Sequence, residues 1–106
     1  MPKFLVAASY TQEGFAGVQG KGGSSRRDAI EHMVGEMGGR LESLHFSFGE
    51  QDVYVIVDVP DNEAAAAVAM AVGASGAAQT TTVVLLTPEQ VDEAARRSVS
   101  YRPPGS

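Results

Sequence analysis

The sequence predicts an α+β fold of the ferredoxin-like type, with the element order β-α-β-β-α-β and one additional C-terminal helix. Residues 41–59 alternate between apolar and other side chains on both sides of a short turn, which indicates a hairpin. One helical segment precedes this hairpin and another follows it, and an apolar strand lies outside each helix. Because crossover connections are right-handed, we expect both long helices on one face of an antiparallel sheet.

The part of the chain before the hairpin predicts a strand, a loop and a helix. Residues 3–10 form a short apolar run followed by polar turn residues, which is typical of a strand. Residues 14–23 contain five glycines, and we expect a flexible surface loop whose spacing does not match a phosphate-binding loop. Residues 25–28 resemble a capping box, and Gly38 and Gly39 should end the helix that begins there. The predicted core stripe of this helix is Ile30, Met33, Val34 and Met37.

The hairpin has one apolar face and one partly polar face. The residues predicted to face the core are Leu44, Phe46, Phe48, Val53, Val55, Val57 and Val59. The opposite face carries Ser43, His45, Ser47, Tyr54, Ile56 and Asp58. Because the helices cover only the core face, the second face would leave a large apolar patch exposed in a monomer. A homodimer that packs sheet to sheet is the simplest way to cover it.

A second helix and a fourth strand follow the hairpin. Residues 60–63, Pro-Asp-Asn-Glu, predict the start of an alanine-rich helix that runs to about Val72. Gly73 and Gly76 mark its exit. Residues 79–86 contain three threonines followed by four aliphatic residues, a composition that favours a strand.

A short helix and a tail complete the chain. Thr87, Pro88 and Gln90 supply an N-cap, a proline in the first helical position and the glutamine of a capping box. The residues after this helix include two adjacent prolines and cannot continue it. We therefore expect one domain over residues 1–98 and an extended tail over residues 99–106.

Composition limits the possible functions. The 106 residues suit one domain, and a net charge of -5 without a basic patch argues against nucleic-acid binding. There is no cysteine and there are two histidines, so neither a disulfide nor a metal site is expected, and no cofactor motif is present. No apolar run is long enough for a membrane helix and no secretion signal begins the chain, so we expect a cytoplasmic protein that does not bind membranes.

One group of side chains on the polar face of the hairpin could carry chemistry. With a turn of two or four residues, Phe48 pairs with Val53. His45 then lies diagonal to Tyr54 and Asp58, at about 7 to 8 Å between backbones. We therefore expect these three side chains to share one cavity.

Two interpretations of this group are possible. His45 could act as a general base that Asp58 orients, since an imidazole titrates near neutral pH and a carboxylate can raise its pKa. Alternatively, a histidine beside an aspartate in an interface is a satisfied polar pair, which is the commoner case. Tyr10, at the end of the first strand, could add a hydroxyl at the mouth of the cavity.

The chain also resembles a known family. Residues 10–14 (YTQEG), 22–68 and 82–105 are similar to the GYD domain family of small bacterial proteins. The resemblance implies a relative of the dimeric α/β barrels, a fold that includes cofactor-free monooxygenases, muconolactone-type isomerases and ligand-sensing domains. The tripeptide that names the family is replaced by Glu-Gln-Asp at 50–52, with Gln51 in the place of the tyrosine. A mechanism that needs this tyrosine could not operate here.

Three functions remain open from the sequence. The first is a homo-oligomeric domain that binds a small organic ligand on the helix-free sheet face through His45, Tyr54, Asp58 and Tyr10, without catalysis or as a sensor. The second is a cofactor-independent isomerase or monooxygenase-like enzyme, with His45 as base and Asp58 as its partner. The third is a structural oligomerisation module. The expected partners are a second copy of the chain and a small organic molecule.

Overall fold

Four strands form a single antiparallel sheet in the computed structural model, which describes residues 1–106. The strands are β1 (Lys3–Tyr10), β2 (Arg40–Phe46), β3 (Val53–Asp58) and β4 (Ala78–Leu85). Their order across the sheet is β2-β3-β1-β4, and each neighbouring pair is antiparallel. This order is that of the ferredoxin-like fold, so the predicted fold class is confirmed. β2 and β4 are the edge strands, and each pairs on one side only.

Four helices connect or follow these strands. They are α1 (Gln12–Lys21), α2 (Gly23–Glu36), α3 (Asn62–Ala74) and α4 (Pro88–Ala95). α2 packs over β2 and α3 packs over β4, so these two helices lie on the same face of the sheet, as predicted. The caps predicted for α3 and α4 are confirmed. Asp61 accepts a hydrogen bond from the N–H of Ala64, and Thr87 forms a complete capping box with Gln90. None of the helices is long and apolar enough to cross a membrane.

The glycine-rich segment is a helix, so the predicted loop is wrong. Thr11 caps α1 by accepting a hydrogen bond from the N–H of Gly14, and its own N–H donates to the carbonyl oxygen of Ala77 at 2.9 Å. Gly14 is buried against this carbonyl, where any Cβ would collide with the oxygen. Gly22, with φ +87°, separates α1 from α2, which begins at Gly23 without a side-chain cap. The capping box predicted at residues 25–28 is therefore absent.

The core lies between the sheet and α2 and α3. Its buried apolar residues are Phe4, Ala8, Val34, Val53, Val55, Val57, Val59 and Ala78. The four valines of the hairpin are thus buried, as predicted. Phe48 lies in the turn and is 95% exposed, and Met37 lies beyond the last turn of α2, where it is 38% exposed. Both were predicted to be core residues, and both predictions are wrong because the strand and the helix end earlier than expected.

The end of the chain projects from the domain. α4 ends at Ala95, and every residue from 86 to 106, here called the C-terminal arm, is exposed. The radius of gyration is 16.8 Å, whereas a compact chain of this length is expected to have about 13 Å. The largest extent of the molecule is 56 Å, against 33 and 22 Å in the other directions. The arm is therefore ordered as a capped helix but packs little against its own domain.

Candidate functional site

The helix-free face of the sheet brings His45 and Tyr54 together. These two residues are direct cross-strand partners in the β2–β3 pairing, and Ser43 pairs with Ile56 beside them. On the next strand Ala7 lies opposite Tyr54, so a small side chain leaves room beside the phenol ring. We call this surface the open sheet face. Its central residues are Leu5, Ala7, Ser43, His45, Tyr54, Ile56, Thr81 and Val83.

The predicted hairpin register is wrong by two residues. Phe46, and not Phe48, pairs with Val53, so six residues connect the strands. The turn is this long because Asp52 is held by β1. Its carboxylate accepts the N–H of Tyr10 at 2.8 Å, and its own N–H donates to the carbonyl of Ala8 at 2.8 Å. The turn of two or four residues predicted from the sequence did not take into account this contact between Asp52 and β1.

Asp58 lies at the other end of the open sheet face from His45 and is engaged elsewhere. It pairs with Arg40 across the hairpin, and the Ser43–Ile56 pair separates it from His45. Its carboxylate accepts hydrogen bonds from Lys3 and Arg40, each at 3.1 Å. The hydrogen bond from Lys3 is the main reason why the pKa of Asp58 is lowered, against the effect of desolvation. The predicted grouping of His45 with Asp58 is therefore not formed.

Lys3 connects this cluster to a second carboxylate. Its ammonium group also donates to Glu42, at the bulge in β2. The hydrogen bond to Glu42, followed by that to Asp58, raises the pKa of Lys3. The arrangement neutralises two carboxylates with two cations at one end of the sheet, which is a structural role and not that of a free acid or base.

Tyr10 lies on the opposite face from His45 and Tyr54. Along β1 it shares the helix-covered face with Phe4 and Ala8, and its ring lies 5.5 Å from that of Phe15 in a tilted arrangement. The predicted grouping of Tyr10 with the residues of the open sheet face is therefore wrong. Strand alternation alone separates them, since Tyr10 pairs with the core residue Ala78.

The family model of the GYD domain matches residues 4–95, which cover all four helices and the sheet except the first residue of β1. The chain is a member of the GYD domain family. No curated protein and no solved structure gave a match.

The Glu-Gln-Asp tripeptide at 50–52 of this GYD domain lies in the turn between β2 and β3. Gln51 accepts a hydrogen bond from the hydroxyl of Ser9 at 3.2 Å. Asp52 fixes the turn to β1 through the backbone of Tyr10. Both side chains therefore join the turn to the sheet, and neither points to a catalytic role in this chain.

Sequence reasoning missed a cleft on the helix-covered side of the GYD domain. It lies between α2 and α3, holds about 60 Å³ and is lined almost entirely by aliphatic side chains. Arg26 lines it, and its Nε is buried without a hydrogen-bond partner. Two features of the sequence point to this cleft. Arg26 stands four residues before Ile30 on the apolar stripe of α2, and the facing helix is built mostly of alanine, which fills little space.

Proposed function

We propose that this GYD domain is a homodimer that binds a small organic ligand between the open sheet faces of two copies. The observation that carries the proposal is the surface area. The protein exposes 7292 Å², whereas a compact monomer of 11.1 kDa is expected to expose about 5700 Å². The excess of about 1600 Å² is about twice what each partner buries in an interface of standard size.

The uncovered surface is apolar enough to favour association. Val83 is 45% exposed and Tyr54 is 39% exposed on the open sheet face, and Ile56 and Leu5 lie between them. Such a patch is unusual on a monomer and typical of an interaction surface. The C-terminal arm adds Leu86 and the apolar side of α4, which a second copy would also cover. A second copy would therefore bury apolar surface on both the sheet and the arm.

A ligand between the two faces would meet both polar and apolar groups. The polar groups are the two imidazole nitrogens of His45, the phenol of Tyr54 and the hydroxyl of Ser43. Ile56 and Ala7 supply apolar contacts. This combination suits a small aromatic or acidic organic molecule. The enzyme alternative needs Asp58 beside His45, and Asp58 is bound to Lys3 and Arg40 instead. Binding without catalysis is therefore the function that we propose.

The test compares two histidine variants in a thermal-shift screen of small organic acids and phenols. A ligand at ten times its Kd should raise the Tm of the wild type by about 5 to 10 °C. His45→Gln should fold with a similar Tm but lose this shift, because a carboxamide cannot reproduce the two ring nitrogens and the aromatic surface of an imidazole. His32→Gln is the matched control, since His32 is exposed on α2 and pairs only with Glu36 at 3.7 Å.

Two outcomes would contradict the proposal. If no compound shifts the wild type while His45→Gln lowers stability by about 1 to 3 kcal/mol, His45 is a packing residue and the domain is an oligomerisation module. If both variants keep the full shift, the ligand binds away from the open sheet face.

A further inference from the structure

We propose that the cleft between α2 and α3 is a second binding site, for a small apolar monocarboxylate whose carboxylate group pairs with Arg26. The site lies on the opposite side of the sheet from the open sheet face. It is independent of the function proposed above, because it is built within one copy and shares no residue with that face.

The cleft is a partly open gap between the two helices and the sheet, lined by core residues. Its floor is formed by valines of β3, and its walls are Ile30 and Met33 from α2 and Ala65 and Val68 from α3. α3 has no fully buried residue, although it is the most apolar of the four helices. Ala65 lines the cleft beside Val68 without filling it, so the two helices leave apolar surface unpaired between them. A close-packed core of this size normally leaves no such void.

Arg26 stands at the polar end of this gap. Its Nε is buried and has no hydrogen-bond partner, and its guanidinium forms no ion pair. Leaving a buried donor of a charged group without a partner is costly, so such a group normally meets an acceptor. The neighbouring Arg27 differs in both respects, since it is exposed and lies 3.6 Å from Asp28. Of these two adjacent arginines, only Arg26 has no carboxylate partner.

A pocket on the other side of Arg26 gives a ligand access. This pocket holds about 360 Å³ and lies between α1 and the first turns of α2, and Tyr10 and Arg26 line both it and the cleft. Its charged residues are Glu13, Lys21 and Arg26, so its net charge is positive in a protein of net charge -5. Ser25 adds a hydroxyl. An anion would therefore be held at the boundary between the polar pocket and the apolar cleft.

The dimensions define the ligand class. A cavity needs about 10 to 15 Å³ to hold one water molecule. The cleft, with a volume of about 60 Å³, therefore accommodates about five heavy atoms. A planar carboxylate matches the fork of a guanidinium and can satisfy Nε together with one terminal nitrogen. The best match is a carboxylate with a short aliphatic chain, and hexanoate, with five carbons beyond the carboxyl group, is the probe that fits.

The experiment is a titration of the ¹⁵N-labelled full-length protein with hexanoate, followed by NMR. We expect saturable shifts around Arg26, Ile30 and Ala65, with a Kd of about 1 mM for a ligand of eight heavy atoms. Acetate lacks the chain and 1-hexanol lacks the charge, and each should bind at least about tenfold more weakly. His45→Gln, on the open sheet face, should leave the titration unchanged.

Arg26→Gln and Arg27→Gln form a matched pair that removes the same charge from adjacent positions. Arg26→Gln should weaken hexanoate binding by about tenfold or more, while Arg27→Gln should leave the Kd within about twofold. Ala65→Leu, which fills the cleft, should also abolish binding while keeping the spectrum of a folded protein. The proposal is overturned if hexanoate causes no saturable shifts, if 1-hexanol binds equally well, or if the two arginine variants lose affinity equally.

Discussion

At the scale of single residues, Asp58 illustrates how a carboxylate that looks catalytic in a sequence can be structural in a fold. It is 7% exposed, and its two oxygens accept hydrogen bonds from different cations, Lys3 on β1 and Arg40 on β2. It therefore joins three neighbouring strands at one end of the sheet. The charge of Asp58 is compensated within the structure, which explains why burial does not raise its pKa.

We predict that Asp58→Asn lowers the free energy of unfolding at pH 7 by about 1 to 3 kcal/mol, since an amide cannot form two charge-assisted hydrogen bonds. The pKa of Asp58 is lower in the folded protein than its ordinary value of 3.8. Its contribution is thus complete above that value and is lost as the pH falls through the lower folded pKa. Urea unfolding at fixed protein concentration from pH 7 to pH 2.5 should show the wild type and Asp58→Asn converging in acid.

Asp28→Asn is the control for this prediction. Asp28 is exposed in the first turns of α2 and faces only Arg27, so its replacement should change stability by less than about 0.5 kcal/mol at any pH. A stability difference for Asp58→Asn that stays constant down to pH 2.5 would show that the lowered pKa has no role in folding.

The sequence predicted the open sheet face correctly in part. Alternation placed His45, Tyr54 and Ile56 on one face, and they do lie there. It could not predict their neighbours, because the register depends on the length of the turn, and Asp52 sets that length by binding β1, a strand more than forty residues away. Likewise, nothing in a one-dimensional pattern reveals that Arg26 lacks an acceptor.

At the scale of elements, α1 shows how tertiary contacts can override composition. Its three internal glycines predicted a loop, yet Thr11 caps the segment and Gly14 lets it lie directly on the backbone before β4. The helices without such a conflict, α2 and α3, were predicted from periodicity and caps. α2 ends one residue earlier than its apolar stripe predicted, and it also begins differently, since a glycine with positive φ, Gly22, replaces the expected side-chain cap.

We predict opposite effects for two alanine substitutions within α1. Gly14→Ala should destabilise the protein by about 1 to 3 kcal/mol, because its Cβ would collide with the carbonyl of Ala77 and push the helix away. Gly17→Ala should stabilise it by up to about 1 kcal/mol, since its Cβ meets open space and alanine favours a helix. Both values come from urea unfolding at one protein concentration. Equal effects of the two substitutions would mean that α1 does not rest on Ala77 in solution.

At the scale of the whole molecule, the excess surface and the open sheet face lead to one prediction about assembly. Ile56→Asp places a carboxylate in the middle of the face that a second copy would bury, and an unpaired buried charge costs several kcal/mol. Sedimentation at micromolar concentration should therefore give a dimer or larger for the wild type and a monomer or unfolded protein for Ile56→Asp.

Ala66→Asp provides the control for Ile56→Asp. It adds the same charge at an exposed position of α3, on the other side of the sheet, and should keep the mass of the wild type. A wild type that sediments as a stable monomer of about 11 kDa would rule out this assembly, since that is the mass of one chain.

The edge strand β4 has a consequence for how the protein behaves at high concentration. Its outer row of backbone N–H and C=O groups pairs with no other strand, and the sequence Ala78–Leu85 contains no charge and no proline. Most proteins guard such an edge with lysine, proline or a bulge, because an unprotected edge accepts strands from neighbouring molecules. β4 has none of these gatekeepers within its eight residues. Concentrated solutions of this GYD domain should therefore be prone to lateral growth of the sheet into filaments, and a lysine at Thr82, which is exposed and lies off the open sheet face, would be the natural remedy.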